Sequence, residues 1–458
     1  MNICVLDAAP QRNGAAAAAR RAITEFCGNR GATLQTFFLP DIPIADCAGD
    51  FKCWTHTPGE CAINDANRDI ARAVMQSDVL AFLTPVTFGG YSAELKKAID
   101  HLIPNISPFF TTVSGETHHQ KRYERYPAIV GVGLLDAQDE GAERVFRAIV
   151  ARNAINMQPE RHAVGVVHGG LDAESIAAEV TRLMESGCGT GREATAPSPS
   201  DAPRVHETGE IDFGPVGEET RATAAAPRSA LLLGGSPRGE QSSSTVLGRY
   251  LLAQLAGRGL STESLQIYGA QRSAAGVDGL LAATDRADLI VVSFPLYVDS
   301  LPAGVIRMLE RIAAHRRAVG AAKIERASGP QRLAAIVQCG FPEARHNHTA
   351  LAVCRQFALE TGFVWTGGLP LGGGHGLVQS KPLESLGGKA AFVRSALALA
   401  ATALAAGKPV PEEAVALMSK PFAPAWLYRL FGNLGWRLEA RRSRPARSLR
   451  DRPYAPRT

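Results

Sequence analysis

The same series of strand, loop and later strand occurs twice in this chain, and that repetition constrains its fold more than any other feature. The second copy opens Leu231-Leu232-Leu233-Gly234-Gly235-Ser236-Pro237-Arg238 and continues Val291-Val292-Ser293-Phe294-Pro295-Leu296-Tyr297-Val298-Asp299-Ser300-Leu301-Pro302. The first opens Asn2-Ile3-Cys4-Val5-Leu6-Asp7-Ala8-Ala9-Pro10 and continues Val79-Leu80-Ala81-Phe82-Leu83-Thr84-Pro85-Val86-Thr87-Phe88-Gly89-Gly90. A repeat of this length means two domains built on one plan.

Around each copy, apolar runs alternate with helical stretches. Strands are expected at 3–6, 34–39, 79–83, 128–135 and 163–167, and again at 229–234, 262–268, 288–294, 332–338 and 363–369. Alternation of this kind predicts a parallel sheet covered on both faces by crossover helices. Right-handed crossovers leave few windings for five such strands, and the order 2-1-3-4-5 is the expectation for both copies. Ligands then sit beyond the carboxyl ends of the strands, where the loops after the first and third strands meet. Both repeated motifs fall there. The domains are placed at 1–186 and 229–408. Between them, residues 187–228 lose all periodicity and are crowded with Gly, Pro, Ser, Thr and Ala, which reads as a flexible linker.

Composition limits the remaining choices. With 45% hydrophobic and 20% charged residues, the chain reads as a globular protein with sizeable cores. The opening Met1 to Asp7 reads as a first strand and not as a signal peptide. The Ala-rich stretch from Ala390 to Ala406, interrupted by Arg394, reads as a packed helix and not as a membrane span. Eight cysteines, three of them close together, do not form a secreted disulfide framework, so a cytoplasmic location is expected. The net charge of +5 hides an asymmetry: from Ala425 to Thr458 nine arginines face two acids, a net of +7, which leaves the body near −2. Residues 409–458 are therefore read as a basic helical tail. Its aromatic residues predict either an interfacial amphipathic helix that touches a membrane or a helix packed on the second domain.

In the second copy, Gly235 to Thr245 places a strand end, a hydroxyl-rich loop and a helix start together, which is a ready site for a phosphate dianion. Gly-Ser-Pro-Arg followed by a Ser/Thr cluster resembles the NADPH-dependent FMN reductase family of the flavodoxin-like superfamily. The resemblance implies two tandem flavodoxin-like α/β domains, doubly wound around five-stranded parallel sheets. It implies that Ser236, Arg238, Ser243 and Ser244 hold the phosphate of FMN. The first copy departs from the pattern: Ala8-Ala9-Pro10-Gln11 replaces Gly-Ser-Pro-Arg, and Ala15 and Ala16 replace hydroxyls. A hydrogen bond to a charged group is worth about 1.5–3 kcal/mol, so this loop is expected to have lost its grip on phosphate, with Arg12 and backbone amides as a residual weak site.

A flavin ring needs an apolar platform and backbone amides at its edge. Pro295, Leu296, Tyr297, Val298, Asp299 and Ser300 resemble the family's ring loop, with Tyr297 bordering the ring and the backbone at Asp299 and Ser300 meeting its edge. Cys339 and Gly340, at the end of the fourth strand, occupy the place of a third flavin-contacting loop; the alternative for Cys339 is a buried structural thiol. Pro85, Thr87, Phe88 and Gly89 resemble the ring loop of the iron-sulfur flavoprotein branch. Cys47, Cys53 and Cys61 resemble that branch's compact cluster motif, but Asp50 stands at the second cysteine position. The stretch is therefore read first as a structural loop, with a cluster or a redox thiol pair as alternatives. His118 and His119 read as a surface loop, and His346 and His348 as solvated or capping.

The resemblance implies an NAD(P)H-dependent flavin oxidoreductase that passes electrons to a flavin, a quinone or a protein acceptor. The rival reading is a non-enzymatic flavodoxin-like scaffold or electron carrier. Partners carried forward are a small-molecule or protein acceptor, a second copy in a homodimer, and a membrane surface at the tail; nucleic acid is not expected.

Overall fold

The computed structural model describes residues 1–11, 14–189, 225–319, 329–444 and 448–455. They form two compact units, Met1–Arg204 with Trp426–Thr458, and Val205–Ala425. Most of the expected linker, and Arg12, lie outside the described residues.

Unit one contains β1 (Asn2–Asp7), β2 (Thr33–Phe38), β3 (Val79–Thr87), β4 (Gly90–Tyr91), β5 (Ile106–Val113), β6 (Glu116–Lys121), β7 (Ala128–Leu135) and β8 (His162–His168). Its helices are α1 (Gly14–Asn29), α2 (Lys52–Thr55), α3 (Asn67–Met75), α4 (Ala93–Asp100), α5 (Glu140–Met157) and α6 (Ala173–Cys188). The main sheet runs β2-β1-β3-β7-β8 with parallel pairings, and β4 folds back antiparallel on the end of β3. Ile3 and Val5 on β1 meet Ile23 and Phe26 of α1 and Val180 of α6 in one core. Their neighbours Cys4 and Leu6 point to the other face and are buried as well. Residues of both parities are therefore apolar, as a parallel sheet covered twice requires.

Unit two repeats the plan with β9 (Ser229–Gly234), β10 (Ser261–Gln266), β11 (Leu289–Pro295), β12 (Arg332–Gln338) and β13 (Val364–Leu371) in the order β10-β9-β11-β12-β13. Its helices are α7 (Ser243–Ala256), α8 (Ile267–Ala270), α9 (Ala274–Arg286), α10 (Ala303–Val319), α11 (His348–Thr361), α12 (Gly374–Val378), α13 (Ala391–Ala405) and α14 (Glu412–Met418). Both sheets have the expected 2-1-3-4-5 winding, so the fold is flavodoxin-like twice over. The apolar segment Leu383–Ala405 is long enough to pass for a membrane span by length and composition. Its inward side chains Val393, Ala396, Leu397, Ala400 and Leu404 are fully buried in the core with α7 and α14, as expected of a packed helix.

Two readings of the sequence need correction. His118 and His119 do not lie in a surface loop: β5 and β6 pair as an antiparallel hairpin, and the His118 ring is buried between Asn156 and Glu116, which also binds Arg152. Their hairpin was hidden because β6, Glu116–Lys121, is polar throughout. The tail is not a single element either. α14 and Phe422 complete the core of unit two, whereas α15 (Ala425–Ser443) and the segment after it belong to unit one. There Asn433 exchanges two hydrogen bonds with the Phe110 backbone, at 2.7 and 3.3 Å, Arg122 donates to the carbonyls of Leu449 and Asp451, and Tyr454 is buried.

Candidate functional site

At the carboxyl ends of β9 and β11 the backbone comes close enough to require glycine. A Cβ at Gly235 would stand 2.7 Å from Val305 and 2.8 Å from Phe294, while its N–H donates to the Ser293 carbonyl at 2.8 Å. Beyond it the chain turns through Ser236, whose hydroxyl accepts the Arg238 N–H at 3.2 Å, and through Gly239 at positive φ. Ser242 caps α7, accepting the Thr245 N–H at 3.1 Å. The Thr245 hydroxyl donates back to the Gly239 carbonyl, and the Ser293 hydroxyl donates to the Ser244 carbonyl. The loop is thus pinned from within by Ser242 and Thr245. Ser236, Ser243 and Ser244 are buried beside it, and the Ser243 hydroxyl has no hydrogen-bond partner among the described residues. Arg238 is exposed at the rim.

After β11 the chain makes a two-residue turn. Tyr297 and Ser300 exchange both backbone hydrogen bonds, at 2.9 and 3.0 Å, with Val298 and Asp299 at positive φ. A β-branched residue in that conformation is strained. Thr349 holds the turn through the Asp299 carbonyl, and the Leu296 N–H is fixed on the Gln338 carbonyl. Tyr297 and Val298 stay half-buried, while the Ser300 hydroxyl is fully buried and has no partner among the described residues. The side-chain oxygen of Gln338, at the end of β12, is in the same state.

The loops after β12 and β13 complete this end of the sheet. Burial pushes the Cys339 thiol up to about 12, and it is surrounded by carbonyls and by the Asn347 amide, which is the setting of a structural thiol. Gly340 is exposed. His346, expected to be solvated or capping, is buried against the Phe341 ring, because the short helical turn before α11 tucks it inward. The sequence reading missed His375 at the start of α12. Desolvation, then the Arg238 charge, holds it below the usual imidazole value, so it stands near the rim of the serine loop. The signal was available in Gly372-Gly373-Gly374, a glycine run directly after the last strand.

Unit one has the same backbone plan with other contents. The Ala8 N–H donates to the Leu83 carbonyl at 2.8 Å, the equivalent of the Gly235 contact. The loop amide of Ala9, however, donates to the Asp7 carboxylate at 2.9 Å, and Arg20 binds the same carboxylate at 2.6 and 3.2 Å and the Ala9 carbonyl at 2.7 Å. Asp7 is 1% exposed. The chain's own carboxylate therefore occupies a donor that an external anion would use. The turn after Pro85 and Thr87 retains its shape, with Phe88 and Gly89 at positive φ, but Phe88 is buried and Gly89 lies against Val145 of α5.

Cys47, Cys53, Cys61 and Asp50 come together as neighbours. Burial, followed by the other two cysteines and Asp50, raises Cys53 strongly, and Cys47 is pushed up to about 12 by desolvation first. Thiols held protonated are not a poised redox pair. The Asp50 carboxylate is taken by the Lys52 ammonium at 3.1 Å and by the Lys52 N–H. The donor set as it stands does not fit an iron-sulfur cluster. Cys61 instead contacts His101 at 3.3 Å, and Trp54 stacks on Phe51.

Two doubly wound sheets with a glycine-serine loop and a tight turn at the switch point define the flavodoxin-like class. Residues 1–169, within the first of the two domains, match the family described as NADPH-dependent FMN reductase. The match covers the copy whose anion loop departs most from the family pattern; for the second copy the likeness rests on strand order and motifs. None of the curated proteins compared matches the chain. Among solved structures, an NAD(P)H:quinone oxidoreductase from Methanothermobacter marburgensis is 15% identical, with 43% of this chain and 99% of that one covered and a TM-score of 0.33. An FMN-dependent NADH-azoreductase from Bacillus anthracis in complex with FMN is 12% identical, covering 39% and 99%, with a TM-score of 0.26.

Proposed function

We propose that unit two binds FMN and that the chain is an NAD(P)H-dependent flavin oxidoreductase. The observation that carries this reading is the pair of buried hydroxyls without partners among the described residues, on Ser243 at the start of α7 and on Ser300 in the turn after β11, in the loops that follow the adjacent strands β9 and β11. An unsatisfied buried polar group costs about 1–3 kcal/mol, and a bound ligand removes that cost. The start of α7 supplies backbone donors to a phosphate, with Ser236, Ser243 and Ser244 beside them and Arg238 at the rim. Tyr297 and Val298 supply an apolar border to the ring, and the backbone of Asp299 and Ser300 meets its edge. Pro295 and Leu296 set the height of the turn, and Gly340 leaves the neighbouring loop open. When bound, FMN supplies the hydride and electron chemistry. The protein's part is to fix the ring, keep water from it and leave one face open to a nicotinamide and then to the acceptor, a quinone, a flavin or a redox protein.

Unit one is read as a domain of the same family that has ceased to hold the FMN phosphate, because Asp7 and Arg20 fill its loop. Pro85, Thr87, Phe88 and Gly89 then act as packing for α5. Anaerobic titration of the purified chain with FMN tests both readings: one flavin per chain, bleached by NADPH, is expected. Colourless protein that takes up no FMN would leave the scaffold reading.

A further inference from the structure

The last helix of unit one faces the opposite way from an ordinary surface helix. Its inner side is small or polar: Arg429 reaches Thr117, Asn433 pairs with the Phe110 backbone, Gly432 lies so close to the Phe110 ring that a Cβ would stand 2.4 Å from it, and Ala440 is buried. Two large side chains anchor it: Trp436, set edge-on to Phe51 and Trp54, and Tyr428, whose ring lies against Phe110. At about 100° per residue, Trp426, Leu430, Phe431, Leu434 and Leu438 fall on the opposite side within an arc of roughly 140°. All five are between 43% and 62% exposed, and only Met1 and Leu359 join them as exposed large hydrophobics among the described residues. A surface that scatters such side chains singly needs no explanation. Five on one helix face mark a binding surface.

Charge selects the occupant. Arg437 and Arg441 project within the same arc, and Arg442 and Arg444 follow it, all exposed. The helix's one acid, Glu439, falls outside the arc. A second copy of the face would bring only more arginines, whereas an anionic lipid surface supplies the counter-charge and a place for the apolar side chains together. We infer that α15 docks unit one onto an anionic membrane surface, lying in the interface plane with Trp426 to Leu438 inserted and the arginines at the headgroups. This inference is independent of the flavin reading.

The test is flotation of the full chain with vesicles of phosphatidylcholine alone or mixed with phosphatidylglycerol. Truncation of the tail is unsuitable, because Tyr454 and the Arg122 contacts belong to the unit's core. The variant W426S/L430S/F431S changes only exposed side chains, and its circular dichroism and melting temperature report that it folds. The expected result is at least tenfold stronger partition onto anionic than onto neutral vesicles, weakened by salt. The apolar variant should lose at least tenfold, R441Q/R442Q should lose the lipid preference, and Trp emission should shift to the blue in the parent but much less in W426F. Failure of the parent chain to float with either vesicle overturns the inference. So does a dimer, by light scattering, that the folded apolar variant dissolves while vesicle binding is unchanged.

Discussion

The loops after β1 and β9 occupy the same place in the same fold and treat negative charge in opposite ways. After β9, the Ser243 hydroxyl is buried without a partner among the described residues, as is that of Ser300 in the neighbouring turn after β11, and the loop is braced by Ser242 and Thr245. After β1, the Asp7 carboxylate sits inside the loop, held by Arg20 and the Ala9 amide. One loop leaves a buried hydroxyl unsatisfied among the described residues, and the other has satisfied its amide with its own carboxylate. The match of residues 1–169 to a flavin reductase family thus covers the copy whose loop carries its own internal anion.

The largest effect that could break this contrast is expected at the serines. Replacing Ser236, Ser243 and Ser244 together by Ala should weaken FMN binding by about two to four orders of magnitude, at roughly 1.5–3 kcal/mol per charge-assisted bond with partial rescue by the backbone. Isothermal titration reads the loss, and a melting temperature within a few degrees of the parent separates it from misfolding. Retention of affinity would mean that phosphate does not sit there.

In unit one the corresponding change should act on stability and leave flavin content alone. Asp7→Asn removes a nearly buried carboxylate from Arg20 and is expected to cost about 2–3 kcal/mol by denaturant unfolding. A variant that instead gained a second equivalent of FMN would show that the carboxylate alone closes the loop.

The two turns sharpen the comparison further. Val298 and Asp299 take the positive φ values that Phe88 and Gly89 take in unit one. Val298→Gly should stabilise unit two by about 1 kcal/mol by releasing strain. Gly89→Ala should destabilise unit one by more than that, since the new Cβ would stand 2.6 Å from Val145. Thermal denaturation of the two variants gives opposite signs if strain is kept only where a ligand is held.

The smallest effect is a pH dependence. His375 is held below its ordinary value by desolvation and by Arg238, so without ligand the unfolded chain takes the proton first and stability falls as pH drops below about 6.5. A phosphate dianion near Arg238 favours the imidazolium, so binding takes up a proton and FMN affinity should rise about two- to threefold as pH falls from 8 to 6. His375→Gln should remove that component and leave the part due to the phosphate itself. An identical pH profile in the variant would place the phosphate away from this histidine.

Much of the architecture was legible because parallel strands buried on both faces are continuous apolar runs, as in Leu231-Leu232-Leu233 and Val79 to Leu83. The hairpin was not, because Glu116–Lys121 is polar and its pairing with β5 depends on His118 and Glu116 being satisfied by Asn156 and Arg152 from α5. In the site, Gly235, Ser236 and Tyr297 could be read from local chemistry. His375 could not be assigned, since its role depends on the loop after β13 reaching the loop after β9.

By itself the sequence determined two doubly wound sheets, the place of their crevices and the loss of hydroxyls in the first, since periodicity and loop chemistry are local properties. Only the tertiary structure decided that Asp7 binds the loop amide of Ala9 together with Arg20, that the cysteines face one another with Asp50 turned to Lys52, and that the last helix returns to unit one with its apolar side outward. Each of these depends on contacts between residues distant along the chain, and no local pattern encodes which distant partner satisfies a charge or covers a face.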